Sequence, residues 1–486
     1  MTLRRLSSAT LSAVRPGVVQ PGYERDRVGV GIVHLGLGAF VRAHLATYTD
    51  DVLALEPGDW GIAGVSLRHP DQRDRLAPQS GLYTALQRDS GGISARIVGC
   101  LREQLVAPED PEAVVARMAD AATRIVSLTV TEKGYGHDPA TGRLDVVHPD
   151  IADDVRNPAA PRSAVGFLVA ALARRRHAGL APFTVLCCDN LPHNGRLLAG
   201  LVRDFAALRD DRLSAWIDAN GAFPCTMVDR IVPATTDADL AAAADAIGLT
   251  DAAPLVHEPF RQFVIEDSFV DGARPAWERV GAEPVSDVAP YEHMKLRLLN
   301  GAHSALAYLG YLAGHETIAD TMADPVLAAY VAALWEHEII PVVPAPPGAD
   351  LRDYAASLSA RFRNTAIRHR TWQIAMDGSQ KLPQRLLSTI RERLSRGLPI
   401  PRLAMAVAAW MVYVGGVDEA GRPIDVRDPL AAQLRKAAED NRILDMEAVF
   451  GTDLPRSDTF IAAVTHAYGL LRAVGARRAL ASMGES

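Results

Sequence analysis

Two textures in the chain predict an α/β protein: buried strands alternate with helices through the first half, and helical periodicity fills most of the second. The alternation implies a largely parallel sheet with right-handed crossovers over residues 28–220. Short strands broken by prolines occupy 221–285 and read as an extension of that sheet bridging to a second domain. Residues 286–486 read as a mostly α-helical C-terminal domain. A chain of 486 residues is too long for one ordinary core, which agrees with this division.

Composition narrows the class. Hydrophobic residues make up 48% and charged residues 22%, the balance of a folded globular protein. A formal net charge of −7, from 51 basic and 58 acidic residues, argues against nucleic acid or an anionic membrane as the main partner. No apolar run approaches the roughly 20 residues needed to span a bilayer. The opening M-T-L-R-R-L-S-S-A-T has no sustained apolar stretch behind its basic residues, so no signal peptide is expected. Cys100, Cys187, Cys188 and Cys225 are too few and too irregular for a disulfide framework. The expectation is a cytoplasmic protein.

Residues 1–26 form a mixed leader. V-G-V-G-I-V-H-L (28–35) then reads as a buried strand, running into G-L-G-A-F-V-R-A-H (36–44) and a helical pattern to about Leu55. Strand, glycine turn, helix is the setting in which a dinucleotide pyrophosphate rests on a helix N-terminus. Gly36 and Gly38 match the first two glycines of G-x-G-x-x-G, while Val41 stands at the third. A tight turn without a ligand is the alternative. W-G-I-A-G-V-S-L (60–67) is the next strand, and Asp71 beyond it is the candidate for the ribose hydroxyls of NAD. Arg68 and His69 beside it would suit a 2′-phosphate, so NAD is preferred to NADP without excluding it.

R-I-V-S-L-T-V-T (124–131) and F-T-V-L-C-C (183–188) are two further buried strands, both ending in polar residues where ligands of a parallel sheet bind. Between them, Ser163–Gly179 has a helical period, and R-R-R-H at its end suits a helix C-terminus. Beyond 286, helices are expected over 290–314, 324–340, 350–368, 381–396, 402–415, 428–439 and 458–482.

The stretch Pro290–Tyr308, P-Y-E-H-M-K-L-R-L-L-N-G-A-H-S-A-L-A-Y, carries the candidate chemistry. At about 100° per residue, with Lys295 at zero, Glu292 falls near 60°, His303 near 80° and Asn300 near 140°. An amine, an amide, an imidazole and a carboxylate then share one arc, as acid–base work on a hydroxyl or carbonyl requires. An ordinary solvated face is the alternative. No C-x-x-C or H-E-x-x-H is present, and adjacent strand residues Cys187 and Cys188 point to opposite faces, so no metal is expected. There is no G-x-S-x-G elbow either. Hydride transfer remains, with a cofactor supplying the hard step. Lys295 suits the proton-transfer role if burial destabilises its ammonium. Asn190 and Asn300 suit hydrogen-bond donation to the reacting oxygen.

K-x-x-x-x-N-x-x-H at Lys295, Asn300 and His303 resembles the signature of the polyol-specific long-chain dehydrogenases, the mannitol dehydrogenase family. H-L-G-L-G-A-F-V-R-A-H, S-L-T-V-T-E-K-G-Y, C-D-N-L-P-H-N-G, F-P-C-T-M-V-D-R-I-V-P and E-P-F-R-Q-F-V-I-E-D resemble family segments in the same order, so the likeness covers roughly 28–480. It implies an N-terminal Rossmann-type NAD-binding domain, a mostly α-helical C-terminal domain and an active site in the cleft between them. It also implies NAD, no metal, and a sugar acid or sugar alcohol as substrate, in a protein acting as a monomer. Gly36, Gly38, Phe40, Arg42 and Asp71 would hold the cofactor. Lys295 would be general acid/base, Asn190 and Asn300 the oxyanion hole, and His303 the residue that orients the substrate oxygen. Glu292 would pass protons between Lys295 and solvent. Val228, Asp229 and Lys381 match substrate-pocket positions.

H-R-T-W-Q-I-A-M-D-G-S-Q-K-L-P-Q-R (369–385) resembles the fructuronate reductase branch of that family. Mannitol 2-dehydrogenases share D-G-S-x-K but place an arginine where Gln373 stands. A hexuronate carries a carboxylate, for which Arg370 and Arg385, with His369 and Lys381, are at hand. NAD-dependent reduction of D-fructuronate to D-mannonate is therefore the expected activity. A mannitol or arabinitol dehydrogenase is the alternative, and a non-catalytic NAD sensor a third reading.

Overall fold

The computed structural model describes residues 3–138 and 141–483. The chain divides into two units, Met1–Ala289 and Pro290–Ser486. Residues 221–285, read from sequence as a bridging extension, belong to the first.

In chain order the first unit holds β1 (Val30–Leu35), β2 (Gly61–Ser66), β3 (Tyr83–Asp89), β4 (Gly92–Val98), β5 (Leu101–Val106), β6 (Ile125–Leu128) and β7 (Thr184–Cys187). It continues with β8 (Thr226–Asp229), β9 (Leu255–His257), β10 (Gln262–Glu266) and β11 (Glu283–Val285). The central sheet has the order β5-β2-β1-β6-β7, and all its neighbours are parallel. Every residue of β1 and β2 is buried, because helices cover both faces. Val33 and Leu35 pack into a core with Met118, Phe167 and Leu198, from helices Pro111–Ala119, Ala164–His177 and Asn194–Ala207. Ile32 points the other way, into a core with Tyr48 and Leu53 of helix Leu45–Leu55. Cys187 and Cys188 part in the same manner between the two cores.

β1 carries one polar side chain into this interior. His34 lies 2.8 Å from Ser127 Oγ through Nδ1 and 2.8 Å from Thr129 Oγ1 through Nε2. Both partners belong to β6 or its exit, so the histidine ties together the two strands between which the strand order reverses.

The sheet departs from the expected alternation in two places. β3 and β4 form an antiparallel hairpin, joined in parallel by β9, so residues 83–106 hold three strands with no helix between them. The turn Asp89-Ser90-Gly91-Gly92 was the available signal, since clustered Gly and Asp favour hairpin turns. β8, β10 and β11 make their own sheet instead of extending the central one. Ala222 adds an isolated bridge to β7 at Thr184, with Val185 N donating to Ala222 O at 2.9 Å. Pro224 then has no N–H with which to continue the ladder.

The second unit is helical. Helices Ala302–Leu312 and Pro401–Val414 form its centre; every residue from Leu403 to Val414 is buried, which explains their nearly unbroken apolar sequence. Around them stand Ile318–Ala323, Pro325–Leu334, Leu351–Phe362, Ser388–Ser395, Ala431–Glu439 and Asp458–Val474. Asp324, Asp350 and Ser457 cap their helices by accepting from backbone N–H groups. The helix expected over 350–368 stops at Phe362, and Asn364 Oδ1 accepts from Ala366 N at 3.1 Å just beyond, a local bond that competes with the helical one. Among the described residues no helix is long and apolar enough to cross a membrane.

Burial holds His34, His44 and His257 neutral, lowering each to about 3. An unfolded histidine titrates near 6.5, so below that pH the unfolded chain takes up protons that the folded chain refuses. The stability from these groups is whole above about pH 6.5 and falls on acidification, by up to about 1.4 kcal/mol per histidine per pH unit. Buried carboxyls with raised pKa, such as Asp50 and Glu338, act with the opposite sign. His34→Gln isolates one share: between pH 6 and 4.5 its unfolding free energy should vary less steeply than wild type by about 1 kcal/mol per unit. Parallel slopes would contradict this.

Candidate active site

Gly36 and Gly38 differ in what requires them. Gly36 has φ +98°, and a Cβ there would lie 2.1 Å from the Thr129 carbonyl oxygen. Its N–H and that of Leu37 both donate to Val65 O, at 2.9 and 3.1 Å. The turn out of β1 is thus wedged between the exits of β2 and β6, and only glycine fits. Gly38 is extended, and a Cβ on it would meet nothing nearer than Gly36 O at 3.7 Å. Among the described residues nothing fills that position. An open, backbone-lined space ahead of helix Ala39–Ala43 is what close approach of a pyrophosphate needs, so the turn fits a dinucleotide.

The other anticipated cofactor residues are dispersed. Phe40 is half-buried and stacks on His44 at 5.1 Å between centroids. Arg42 is drawn inward: it donates to Ala253 O at 2.6 Å and Gly38 O at 3.1 Å, and lies over the Tyr83 ring. It braces the turn from below. Asp71 is exposed at the first position of helix Asp71–Leu76, five residues past the end of β2, while neighbouring Arg68 bonds Asp150 at 2.7 Å.

The exits of β6 and β7 are built around residues that sequence reasoning passed over. Asp189 accepts from Val130 N at 2.8 Å, Thr131 N at 3.2 Å and Tyr135 Oη at 2.6 Å. Thr131 has φ +64° and ψ 160°, a conformation nearly confined to glycine, and the two backbone bonds hold it there. Burial raises the Asp189 carboxyl above its usual range, and these three donors oppose the shift. Asn194 donates to Asp189 O and Thr226 O at 3.0 Å each and accepts from Gly195 N and Thr226 N. Asn190 is exposed between these two fixed residues. The signal was present in C-D-N-L-P-H-N-G, whose Asp and second Asn are as polar as the residue chosen. Val228 and Asp229 lie buried on β8, opposite Phe263 and Gln262 of β10.

In the second unit one helix runs unbroken through Ala289–Met294, Lys295–Gly301 and Ala302–Leu312, and its middle segment is π-helical. Here N–H groups bond back five residues, so residues five apart become neighbours on one face, as residues four apart are in an α-helix. Lys295 and Asn300 are five apart. A uniform α-helix would have set them about 140° from each other, so the even wheel expected from sequence is corrected. Asn300 and His303, three apart across the return to α geometry, are neighbours on that face, as are Glu292 and Lys295 before it. Lys295 and His303 are both 7% exposed; Glu292 and Asn300 are half-buried.

His303 stacks on Phe362, with centroids 4.9 Å apart and an interplanar angle of 18°. It meets His369 edge-on at 4.7 Å. Its Nε2 is buried with no hydrogen-bond partner among the described residues. Burial pushes the imidazolium far below its usual range, and His369, Arg385, Arg361 and Lys381 push it further. His369 falls to about 4 through burial and the nearby Lys381. Neutral His303 therefore sits in a field set by three cations. D-G-S-Q-K is the scaffold for one of them. Asp377 takes φ +55°, Ser379 bonds Asp428 through N at 2.8 Å and Oγ at 2.6 Å, and Lys381 Nζ donates to Met376 O at 2.6 Å. Arg385 donates to Ser304 Oγ at 3.1 Å. Arg370 is turned to Glu316, 3.7 Å away, with its side chain about half exposed. Among the described residues no group of three or more His, Cys, Asp or Glu is placed to hold a metal ion.

The two glycines give a paired test. Gly36→Ala should lower unfolding free energy by about 3 kcal/mol or more, from left-handed strain plus the backbone clash. Gly38→Ala should leave it within about 0.5 kcal/mol and act only on what binds beside the turn. Urea titration of both variants checks this; equal losses would mean Gly38 is also demanded by the fold.

Similarity to known proteins agrees with this architecture. The mannitol dehydrogenase Rossmann domain matches residues 30–279, and the mannitol dehydrogenase C-terminal domain matches 287–472. D-mannonate oxidoreductase of Escherichia coli K12 is 48% identical, over 96% of this chain and 98% of its own. Mannitol 2-dehydrogenase of Phaeosphaeria nodorum is 41% identical, over 98% of this chain and 85% of its own. Pseudomonas fluorescens mannitol 2-dehydrogenase, solved as a ternary complex with NAD and D-mannitol, superposes with a TM-score of 0.91 at 40% identity, covering 99% of this chain and 100% of that one. This chain belongs to the mannitol dehydrogenase family of oxidoreductases.

Proposed function

We propose that the protein interconverts D-fructuronate and D-mannonate with NAD as cofactor and without a metal. The observation that carries the uronate reading is the cationic surround of His303. Arg385, Arg361 and Lys381 all depress its protonation, and such a field favours a carboxylate-bearing substrate over a neutral polyol. The 48% identity to D-mannonate oxidoreductase supports the same choice. Gly38 leaves the room a dinucleotide would need, and the Pseudomonas fluorescens relative is an NAD complex.

When bound, NADH supplies the hydride. The chain's own groups handle the proton and the developing charge. Lys295, buried and one helical turn beyond Glu292, gives its proton to the substrate oxygen in reduction and takes it back in oxidation. The side-chain amides of Asn300 and Asn190 donate to that oxygen as negative charge builds on it. His303 offers Nε2, which has no hydrogen-bond partner among the described residues, to a substrate hydroxyl or carbonyl. Glu292, half-buried, relays the proton between Lys295 and water. Val228, Asp229, Lys381 and Arg370 complete the substrate contacts in this reading.

The mannitol 2-dehydrogenase reading has its own support in the Pseudomonas fluorescens complex with D-mannitol and the fungal relatives. Initial rates with NADH, measured side by side on D-fructuronate and D-fructose, separate the two. The uronate reading expects kcat/KM at least about a hundredfold higher for fructuronate, roughly 2.7 kcal/mol of preference. Equal values, or a preference for fructose, would reverse the assignment.

A further inference from the structure

A π segment is rarely taken up for its own sake, because its hydrogen-bond ring is looser than the α-helical one, so neighbours must favour the register. One neighbour is the chain at Arg385, so close that a Cβ on Gly301 would lie 2.7 Å from Arg385 O. That contact restrains the end of the segment at Gly301. Trp335 restrains its middle. Its indole Nε1 donates to Leu298 O at 2.9 Å, at a buried point between Lys295 and Asn300. The same indole ring stacks near Phe362, with centroids 6.1 Å apart and planes at 27°. Phe362 in turn carries the His303 ring.

Trp335 is 3% exposed and opens a second π segment, Trp335–Ile339, so its own backbone is set by packing. A buried indole usually takes an acceptor, and any carbonyl would serve a purely structural tryptophan. This one uses a carbonyl inside the π segment, and its ring stacks through Phe362 on the imidazole of the same helix. We propose that Trp335 is a positioning residue for the reaction: its N–H holds the register that sets Lys295 and Asn300 on one face, and its ring, through Phe362, sets the plane of His303. This rests on the reading of Lys295 as acid and base given above.

Trp335→Phe removes the N–H and keeps an aromatic ring against Phe362. The expected result is a kcat for fructuronate reduction lowered about ten- to a hundredfold, as a displacement near 1 Å produces. The pH profile of kcat should be displaced, with the NADH dissociation constant within about twofold of wild type. Phe362→Leu breaks the stack and keeps the indole bond; it should raise KM for fructuronate while leaving the kcat pH profile in place. A Trp335→Phe enzyme with wild-type kcat and pH profile overturns the proposal. So does one in which kcat, NADH affinity and melting temperature fall together, since that is a packing defect. Where Trp335→Phe does not fold, Phe362→Leu decides, and an unchanged KM rejects the link to His303. Lys295→Ala serves as the control. If it turns over normally, the acid/base reading falls and takes this proposal with it. An inactive control beside an unaltered Trp335→Phe rejects the positioning role alone.

Discussion

The hydrogen-bond register between Lys295 and Gly301 is the constraint on which the candidate site depends. One extra residue in a helical turn moves Asn300 from the flank of the helix to the face of Lys295, with His303 next along the same face. The unit is built to tolerate such turns. Trp335–Ile339 and Pro383–Leu387 are π-helical as well, and Pro383 has a physical cause, since it has no N–H to continue an α-helical ladder. Arg385, on the third segment, bonds Ser304 on the helix of the first and adds its charge to the field at His303. Local irregularity here aims side chains instead of marking weakness.

The first unit solves a different problem, which is to hold four strand exits at one end of a parallel sheet. Gly36 is wedged against the exits of β2 and β6, His34 binds β1 to β6, and Asp189 reaches from the exit of β7 to hold the strained Thr131. Each contact joins segments distant in sequence, and those of Gly36 and His34 are buried or half-buried, so loss of one partner there leaves a desolvated polar group. Arg42 belongs to this scaffold. Its inward guanidinium makes the stability of the turn, more than direct contact with a cofactor, the first quantity its removal would disturb.

Much of this could be read from sequence, for physical reasons. Continuous apolar strands such as V-G-I-V-H-L announce burial on both faces, and G-L-G after such a strand announces the turn. The hairpin of β3 and β4 escaped because a strand of mixed burial has no clean period, and its turn signal is only four residues long. Apolar periodicity could not reveal the π register. Helical periodicity assumes one pitch throughout, whereas the pitch here is set by groups such as Trp335 that lie dozens of residues away. The K-x-x-x-x-N spacing held the clue, since five residues match a π turn and no α-helical face. Asp189 and Asn194 stayed hidden for a related reason. A residue that fixes another residue has no signature of its own until its partners are known.

The central claim is that this helix works as a proton-transfer face, and Lys295 is where it can be tested most directly. Mixing fructuronate with a preformed complex of NADH and the Lys295→Ala protein, and following nicotinamide absorbance through a single turnover, isolates the chemical step. The account predicts a rate lower than wild type by a factor of about 10² to 10⁴ at neutral pH, with NADH bound about as tightly as before. A single-turnover rate within a few-fold of wild type would contradict it.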